Sequence, residues 1–291
     1  MPLDRRSELG DFLRSRRARL RPEDLGLPRY GGLRRVPGLR REELAQLAGV
    51  SVDHYVRLEQ GRTLHFSEAV LDAVARALRL DPVERDHLHR LARPRPVPTC
   101  RPAAPQHPQQ VRPGLRRLLD SAADVPAYVV GRGTDVLAWN ALAAALVTDF
   151  GALPPRERNM ARLVFLDEGV RSLYADWRAK ARDVTAYLRL DAGRRPDDPH
   201  TAALLRELSA ASPEFREVWA EHHVWDKTHG GHLYRHPVVG PLDLAFETLR
   251  LPDDPDQALV MHTVEARSPS AAALRLLAAW SRETATAPRP S

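Results

Sequence analysis

The chain has 291 residues, a length typical of about two domains that each bury their own core. It has no run of about 18 apolar residues, so we expect no membrane span, and its single cysteine, Cys100, excludes an intramolecular disulfide and a cysteine-based zinc site. The formal net charge of +6 falls on residues 1–95, while residues 96–291 are balanced, which favours an anionic partner for the N-terminal part.

The first predicted helix covers Ser7–Leu20, where Leu9, Phe12 and Leu13 recur at helical spacing. Residues 22–38 follow, with too many prolines and glycines for a helix, and they are predicted to form a loop. The N-terminus lacks the apolar segment of a secretory signal, so we expect a cytoplasmic protein.

The stretch Leu39–Arg62 predicts two short helices joined by a tight turn. Gly49 is suited to end the first helix, Ser51 to cap the second, and Gly61 to stop it. In this stretch an apolar residue and Ala are followed by Gly, Val and Ser. This order resembles the Cro/phage-repressor (XRE) class of DNA-binding helix-turn-helix domains. The alternative is a helical hairpin that only packs, which would not require the surrounding arginines.

The resemblance assigns DNA contacts to the outer face of the second helix. The candidates for reading base edges in the major groove are Val52, Asp53, His54 and Arg57. The candidates for phosphate contacts are Arg34, Arg35, Arg40, Arg41, Ser51 and Arg62. Glu59 is expected to orient an arginine and not to touch DNA. For each side chain alone, the competing interpretation is an ordinary solvated surface residue.

Two more helices, Ser67–Leu80 and one opening at Asp81-Pro82, complete an all-α N-terminal domain of about five helices over residues 1–93. Residues 94–110 are rich in proline and predict a semi-extended linker. Cys100, within it, is expected to be an incidental exposed thiol, with a redox-sensing cysteine as the alternative.

The second predicted domain spans residues 111–284, and residues 285–291 form a tail. A helix is predicted at Val111–Ser121, and helices also fill the middle of the domain, including one continuous helix at Gly169–Asp191. The other predicted helices are Asn140–Phe150, one opening at Pro154, Pro199–Ser209, Pro213–His223 and Ser268–Arg282. The predicted strands are Ala127–Val130, Val136–Trp139, His232–His236, Leu242–Leu249 and Ala258–Glu265. This order predicts an α+β domain with an antiparallel sheet covered on one face and a helical insertion.

Motifs spread over this domain resemble the MmyB-like ligand-binding domain, which follows an XRE-type helix-turn-helix in a family of bacterial transcriptional regulators. They include Asp135–Asn140, Leu153–Asn159, Ser212–Phe215, His236–Gly240 and Leu251–Gln257. The resemblance implies a PAS-like fold and a small apolar or amphipathic ligand, fatty-acid-like in some relatives. His54 departs from the tyrosine usual in the family, which puts any carried-over operator sequence in doubt.

Aromatic residues concentrate in this second domain and are candidates for a ligand pocket, although each is also explained as plain core. The pocket candidates are Trp139, Asn140, Phe165, Trp177, Tyr187, Trp219, Trp225 and Phe246. For Asn140 the preferred interpretation is a cap of the following helix, with a ligand contact as the alternative.

Five histidines lie close together in sequence, at His222, His223, His229, His232 and His236. Their spacing matches no established metal site, so a solvated histidine cluster is expected and no metal is predicted. No hydrolase, nucleotide-binding or zinc-protease motif occurs, so no catalytic residue and no cofactor are predicted.

These observations together predict a cytoplasmic, nucleoid-associated transcriptional regulator that binds a double-stranded DNA operator. A small-molecule effector is expected to modulate operator binding, and a homodimer is expected to place two reading helices on a palindrome. The alternatives are a regulator that works by protein–protein interaction with no small ligand and, with less support, a metal-binding enzyme.

Overall fold

The structure, a computed structural model, describes residues 5–25, 38–61, 66–92, 109–225 and 228–286. The chain divides into two compact units. Unit 1 comprises Met1–Ala104, Arg189–Ala203 and Trp219–Trp225, and unit 2 comprises Pro105–Leu188, Leu204–Val218 and Asp226–Ser291. The predicted linker with Cys100 lies outside the described residues except for positions 109 and 110, as do residues 287–291 of the predicted tail.

Unit 1 is helical. Its first elements are α1 (Arg5–Arg19), a short 3-10 helix (Pro22–Leu25), α2 (Arg41–Ala48), α3 (Val52–Glu59), α4 (Glu68–Ala77) and α5 (Pro82–Ala92). Leu9, Phe12 and Leu13 of α1 are fully buried among the apolar faces of the other helices. The structure thus contains the five helices that the sequence predicts, although the helices end one to three residues from the predicted bounds.

Two short segments from the C-terminal half belong to unit 1, which the predicted domain bounds do not anticipate. Leu190 and Val224 are buried in the same apolar core as α1. Arg189 is also fully buried there, and it donates to a carboxylate oxygen of Glu8 and to the Trp219 carbonyl.

The helices that follow residue 109 are α6 (Pro113–Ser121), α7 (Ala141–Leu146), α8 (Met160–Leu166), α9 (Glu168–Leu173), α10 (Trp177–Arg194), α11 (Pro199–Ala211), α12 (Pro213–Ala220) and α13 (Pro269–Thr286). The predicted single helix at Gly169–Asp191 is wrong, because Tyr174 leaves the helical conformation between α9 and α10 and pairs with Tyr234 in a β-bridge. The predicted helix at Asn140–Phe150 is shorter, since α7 ends at Leu146.

Unit 2 contains a five-stranded antiparallel sheet in the order β2-β1-β5-β4-β3. The strands are β1 (Ala127–Val130), β2 (Val136–Trp139), β3 (His229–His236), β4 (Gly240–Arg250) and β5 (Ala258–Thr263). Helices α7 to α12 lie in the chain between β2 and β3. This is the α+β class with a helical insertion that the sequence predicts.

The register separates the two faces of the sheet. Tyr128 pairs with Val260, Phe246 with His262, and His232 with Leu244, which puts these side chains on one face, the inner face. Val129 and Leu259 lie on the opposite face and pack with Leu115 and Leu119 of α6. The expectation of a sheet covered on one face therefore fails at β1, which is buried on both faces, and holds at β3 and β4, where exposed and buried residues alternate.

Candidate nucleic-acid interface and ligand-binding domain

The turn between α2 and α3 has the geometry that its sequence predicts. Gly49 ends α2 in the left-handed region at φ 67°, where a residue without Cβ is favoured. The Ser51 hydroxyl accepts a hydrogen bond from the His54 N–H at 3.2 Å and so caps α3. Gly61, at φ 61°, follows the end of α3. The short turn from Gly49 to Ser51 thus joins α2 directly to α3.

The packing of α3 leaves one face of the helix in solvent. Tyr55 and Leu58 are buried in the core of unit 1. Val52 is 41% exposed and therefore does not pack inward, and His54 is exposed with its ring 5.1 Å from that of Phe66. The four predicted base-reading residues, Val52, Asp53, His54 and Arg57, are all exposed.

Arg57 and Asp53 form an exposed ion pair at 2.7 Å along the helix, with side chains 60% and 70% accessible. An exposed pair at this spacing contributes only about 0.5 kcal/mol or less. The guanidinium can therefore leave Asp53 for another acceptor at little cost.

Glu59, at the end of α3, is fully buried and holds two arginines. Arg41 donates from Nε and Nη2 to one carboxylate oxygen at 2.9 and 2.7 Å, and Arg17 donates from Nε to the other at 3.1 Å. Burial alone would raise the pKa of the Glu59 carboxyl, but the arginines outweigh burial and the pKa lies below its usual value. Glu59 thus joins α1, α2 and α3, in keeping with the expectation that it orients an arginine.

The predicted phosphate contacts are only partly described. The backbone N–H of Arg40 donates to the Glu43 carboxylate at 2.7 Å, and Arg41 keeps 41% of its side chain exposed while it is bonded to Glu59. Ser51 is exposed, but its hydroxyl already caps α3. Arg34, Arg35 and Arg62 lie outside the described residues. The phosphate role of all six residues stays a prediction.

The eight predicted pocket residues include several aromatic side chains with ring contacts at different places. In unit 2, Phe165 contacts Trp177 and Phe215, with ring centroids 5.7 and 5.0 Å away. Trp139 contacts Phe150, Tyr187 lies under the Arg250 guanidinium, and Phe246 stacks on His232. Trp219 and Trp225 belong to unit 1. A common pocket for these residues stays a prediction.

Asn140 has a structural role that accounts for its side chain. Its amide oxygen accepts from the Ala143 N–H at 2.9 Å, which caps α7, and from the Ala127 N–H at 3.2 Å. Its amide nitrogen donates to the carbonyls of Ala122 and Val125 at 2.8 and 2.7 Å. The preferred interpretation of Asn140 as a helix cap is confirmed.

The histidines at 222–236 do not form one solvated cluster. His222 and His223 lie in unit 1 and the other three on β3 in unit 2. His232 and His236 are buried at alternate inward positions of β3, so the expectation of solvated side chains is wrong for both. Within the described ranges, no group of three or more His, Cys, Asp or Glu side chains is placed to hold a metal.

Sequence reasoning missed the polar side chains buried in both units. Arg189 and Glu8 are 181 residues apart, and His222 lies 3.0 Å from the same guanidinium. In unit 2, Lys180 is buried near Tyr128, Tyr174 and other polar side chains. For His232, Tyr234 and His236 a signal existed, because their spacing of two along β3 places them on one face.

Comparison with known families agrees with both halves of this description. Residues 8–88 match a family model described as a helix-turn-helix domain, which defines the N-terminal part as a DNA-binding domain. Residues 111–277, more than half of the chain, match the MmyB-like transcription regulator ligand binding domain, and the chain belongs to this family. No curated protein gave a match. These domains are those of a ligand-regulated, DNA-binding transcription regulator. Among the described residues, no helix is long and apolar enough to cross a membrane.

Proposed function

We propose that this regulator binds a specific DNA operator by inserting the outer face of α3 into the major groove. The observation that carries the proposal is the exposed set Val52, Asp53, His54 and Arg57 on a helix whose other face is buried. A major-groove helix uses its first turns to contact base edges. The excess charge of +6 in residues 1–95 supports attraction to phosphates.

The structure holds α3 rigidly in place, which favours its binding to DNA. Glu59 and the Ser51 cap fix the helix at its two ends, so that little conformational entropy remains to be lost on binding. Arg57 is held only by an exposed pair with Asp53, and a guanidinium can pair bidentately with guanine. We infer that Arg57 reads a base and that Asp53 orients it in the free protein.

Replacing Arg57 tests this role directly. Arg57→Ala is expected to weaken binding to a cognate duplex by about 1–3 kcal/mol, because a bidentate base contact is lost. Fluorescence anisotropy with a labelled duplex chosen from a random pool provides the affinity. Arg76→Ala, which removes an exposed arginine from α4, is the matched control and should leave the affinity unchanged. Equal affinity of Arg57→Ala and wild type would remove Arg57 from the reading set.

We further propose that the protein acts as a homodimer and that its ligand-binding domain takes an amphipathic, fatty-acid-like molecule. Two copies of α3 about 34 Å apart would meet successive turns of a palindromic site. The family of the C-terminal domain supports a small-molecule ligand, and the aromatic residues of unit 2 supply apolar surface for an alkyl chain. Ligand binding would act on DNA only through different affinities for the DNA-competent and the incompetent state.

Laurate is a suitable probe for this coupling. Saturating laurate is expected to change the dissociation constant for the operator by between about 5-fold and about 150-fold, the usual range of allosteric coupling. Linkage requires the operator to change the affinity for laurate by the same factor, and calorimetry with and without the duplex measures that reciprocal effect. Identical operator affinity with and without bound laurate would favour regulation through protein partners alone.

A further inference from the structure

The inner face of the sheet in unit 2 carries a group of buried polar side chains, called here the Lys180 cluster. It consists of Tyr128 on β1, Tyr174 between α9 and α10, Lys180 on α10, Tyr234 on β3 and His262 on β5. All are buried, with accessibilities of 0% for Tyr234, 2% for His262, 3% for Tyr128 and Tyr174, and 8% for Lys180. Strand alternation places apolar residues at such inward positions in an ordinary core, so this group requires an explanation.

The members of the cluster contact one another. The ring centroids of Tyr174 and Tyr234 are 5.0 Å apart, those of Tyr234 and His262 are 5.9 Å apart, and those of His262 and Tyr128 are 5.9 Å apart. The Lys180 ammonium lies 5.3 Å from the centre of the Tyr174 ring. Five side chains from distant parts of the sequence therefore converge on one small region.

The charge state of the cluster follows from its neighbours. Burial lowers the pKa of Lys180, but the hydroxyls of Tyr174 and Tyr128 and the carboxylate of Asp183 outweigh burial and the pKa is raised, so Lys180 stays cationic. Burial lowers the pKa of His262 to about 3, with Lys180 and His232 contributing in the same direction, so His262 is neutral at pH 7. A neutral imidazole has one N–H to donate.

The cluster has more hydrogen-bond donors than acceptors, although each tyrosine hydroxyl and the neutral His262 ring can also accept. Lys180 has three donors, and each tyrosine hydroxyl and His262 has one more. Within the part of the chain that the structure describes, neither ring nitrogen of His262 has a hydrogen-bond partner. Asp183, the nearby carboxylate, lies 3.4 Å from the imidazole of His232. A buried donor without a partner destabilises the folded protein, so such a group in a native structure requires an explanation.

We propose that the Lys180 cluster binds the carboxylate head group of the ligand of this domain. The inference rests on the proposed function, since it assumes that unit 2 takes an amphipathic small molecule. Lys180 supplies the cation, and the tyrosine hydroxyls and the His262 N–H donate to the two carboxylate oxygens. Aromatic residues adjoin the cluster, with the Phe150 ring 6.4 Å from that of Tyr128 and the Phe246 ring stacked on His232 at 5.5 Å. These rings provide apolar surface for the rest of the molecule.

The test compares two ligands that differ only in the head group. Isothermal titration calorimetry on the full chain after lipid removal uses laurate and 1-dodecanol, which have alkyl chains of the same length. Wild type is expected to bind laurate at least about tenfold more tightly than dodecanol, because only the carboxylate forms an ion pair with Lys180. Lys180→Met is expected to abolish this preference and to leave the affinity for dodecanol unchanged.

A second pair of variants keeps the test valid if Lys180→Met fails to fold. Tyr234→Phe removes one hydroxyl from the cluster and should weaken laurate binding about fivefold. Thr263→Val removes a hydroxyl from an exposed position at the end of β5, on the opposite face of the sheet from His262, and should have no effect. Circular dichroism spectra and melting curves establish that each variant is folded.

The possible results separate this inference from the function on which it rests. If laurate and dodecanol bind wild type equally, or if Tyr234→Phe and a folded Lys180→Met bind laurate as wild type does, the cluster does not recognise the head group although the domain binds amphipathic molecules. If neither compound binds wild type, both the head-group inference and the fatty-acid-like ligand are overturned. The proposal that α3 binds DNA is tested by separate measurements, and neither outcome bears on it.

Discussion

At the scale of single residues, a few buried polar side chains hold the helices and strands of each unit in place. Glu59 fixes the reading helix through two arginines, and Asn140 joins β1, α7 and the connection before β1 with four hydrogen bonds. Arg189 and Glu8 form a buried ion pair in unit 1. Removal of one partner from such a pair leaves an uncompensated charge in the core and costs about 3–5 kcal/mol.

His87 gives unit 1 a predictable pH dependence. It is fully buried on α5 with its ring 5.1 Å from that of Phe12, and burial is the main cause that lowers its pKa to about 3. Because the unfolded chain has the higher histidine pKa, near 6.5, the unfolded chain binds the proton first. The contribution of neutral His87 to the free energy of unfolding is therefore fully present above pH 6.5. It is lost as the pH decreases from 6.5 toward 3.

Replacement of His87 removes this loss. Between pH 7 and pH 5, wild type is expected to lose about 2 kcal/mol more in free energy of unfolding than His87→Leu or His87→Phe, neither of which has a proton to gain. Urea unfolding followed by circular dichroism at both pH values measures the difference. If wild type and both variants lose the same stability over this interval, His87 does not carry the effect.

At the scale of elements, the sequence predicted a helix or strand correctly where residues within or next to that element determine its bounds. Strands β1 and β2 occur at the predicted bounds, since short β-branched and aromatic runs flank a turn. Ser51, Ser67 and Asn140 cap the helices that their chemistry predicts. The family motifs contribute in the same way, because Asn159 caps α8 and donates to the Gly133 carbonyl at 2.7 Å.

Other features depended in part on contacts between residues that are distant in sequence. The helix predicted through Tyr174 is interrupted because Tyr174 pairs with Tyr234, 60 residues later in the chain. His232 and His236 read as polar surface, but the register of β3 turns them toward the interior. The Lys180 cluster draws on three strands, α10 and the connection that precedes it, and no spacing in sequence brings its members together. In α3, helical periodicity correctly placed Tyr55 and Leu58 inward, but it also allowed Val52 to face inward, and Val52 is exposed.

At the scale of the whole molecule, the compact units and the two family matches have different boundaries. The ligand-binding family match covers residues 111–277, yet residues 189–203 and 219–225 are part of unit 1. Arg189 stacks on Trp219 at 4.0 Å and pairs with Glu8 of α1 within that unit. An N-terminal fragment ending near residue 93 would leave the Glu8 carboxylate buried without its cation. Experiments on DNA binding therefore require the full chain.

The central claim is that the outer face of α3 reads DNA sequence, and selection from a random duplex pool tests it most directly. At about 150 mM salt, where non-specific phosphate contacts are weakened, full-length wild type is expected to enrich a palindrome with half-sites about one helical turn apart. The triple variant Asp53→Ala, His54→Ala, Arg57→Ala, with an unchanged melting curve, is expected to enrich no sequence. Enrichment of the same palindrome by the triple variant, or of no sequence by wild type even at low salt, would contradict the assignment of α3 as the reading helix.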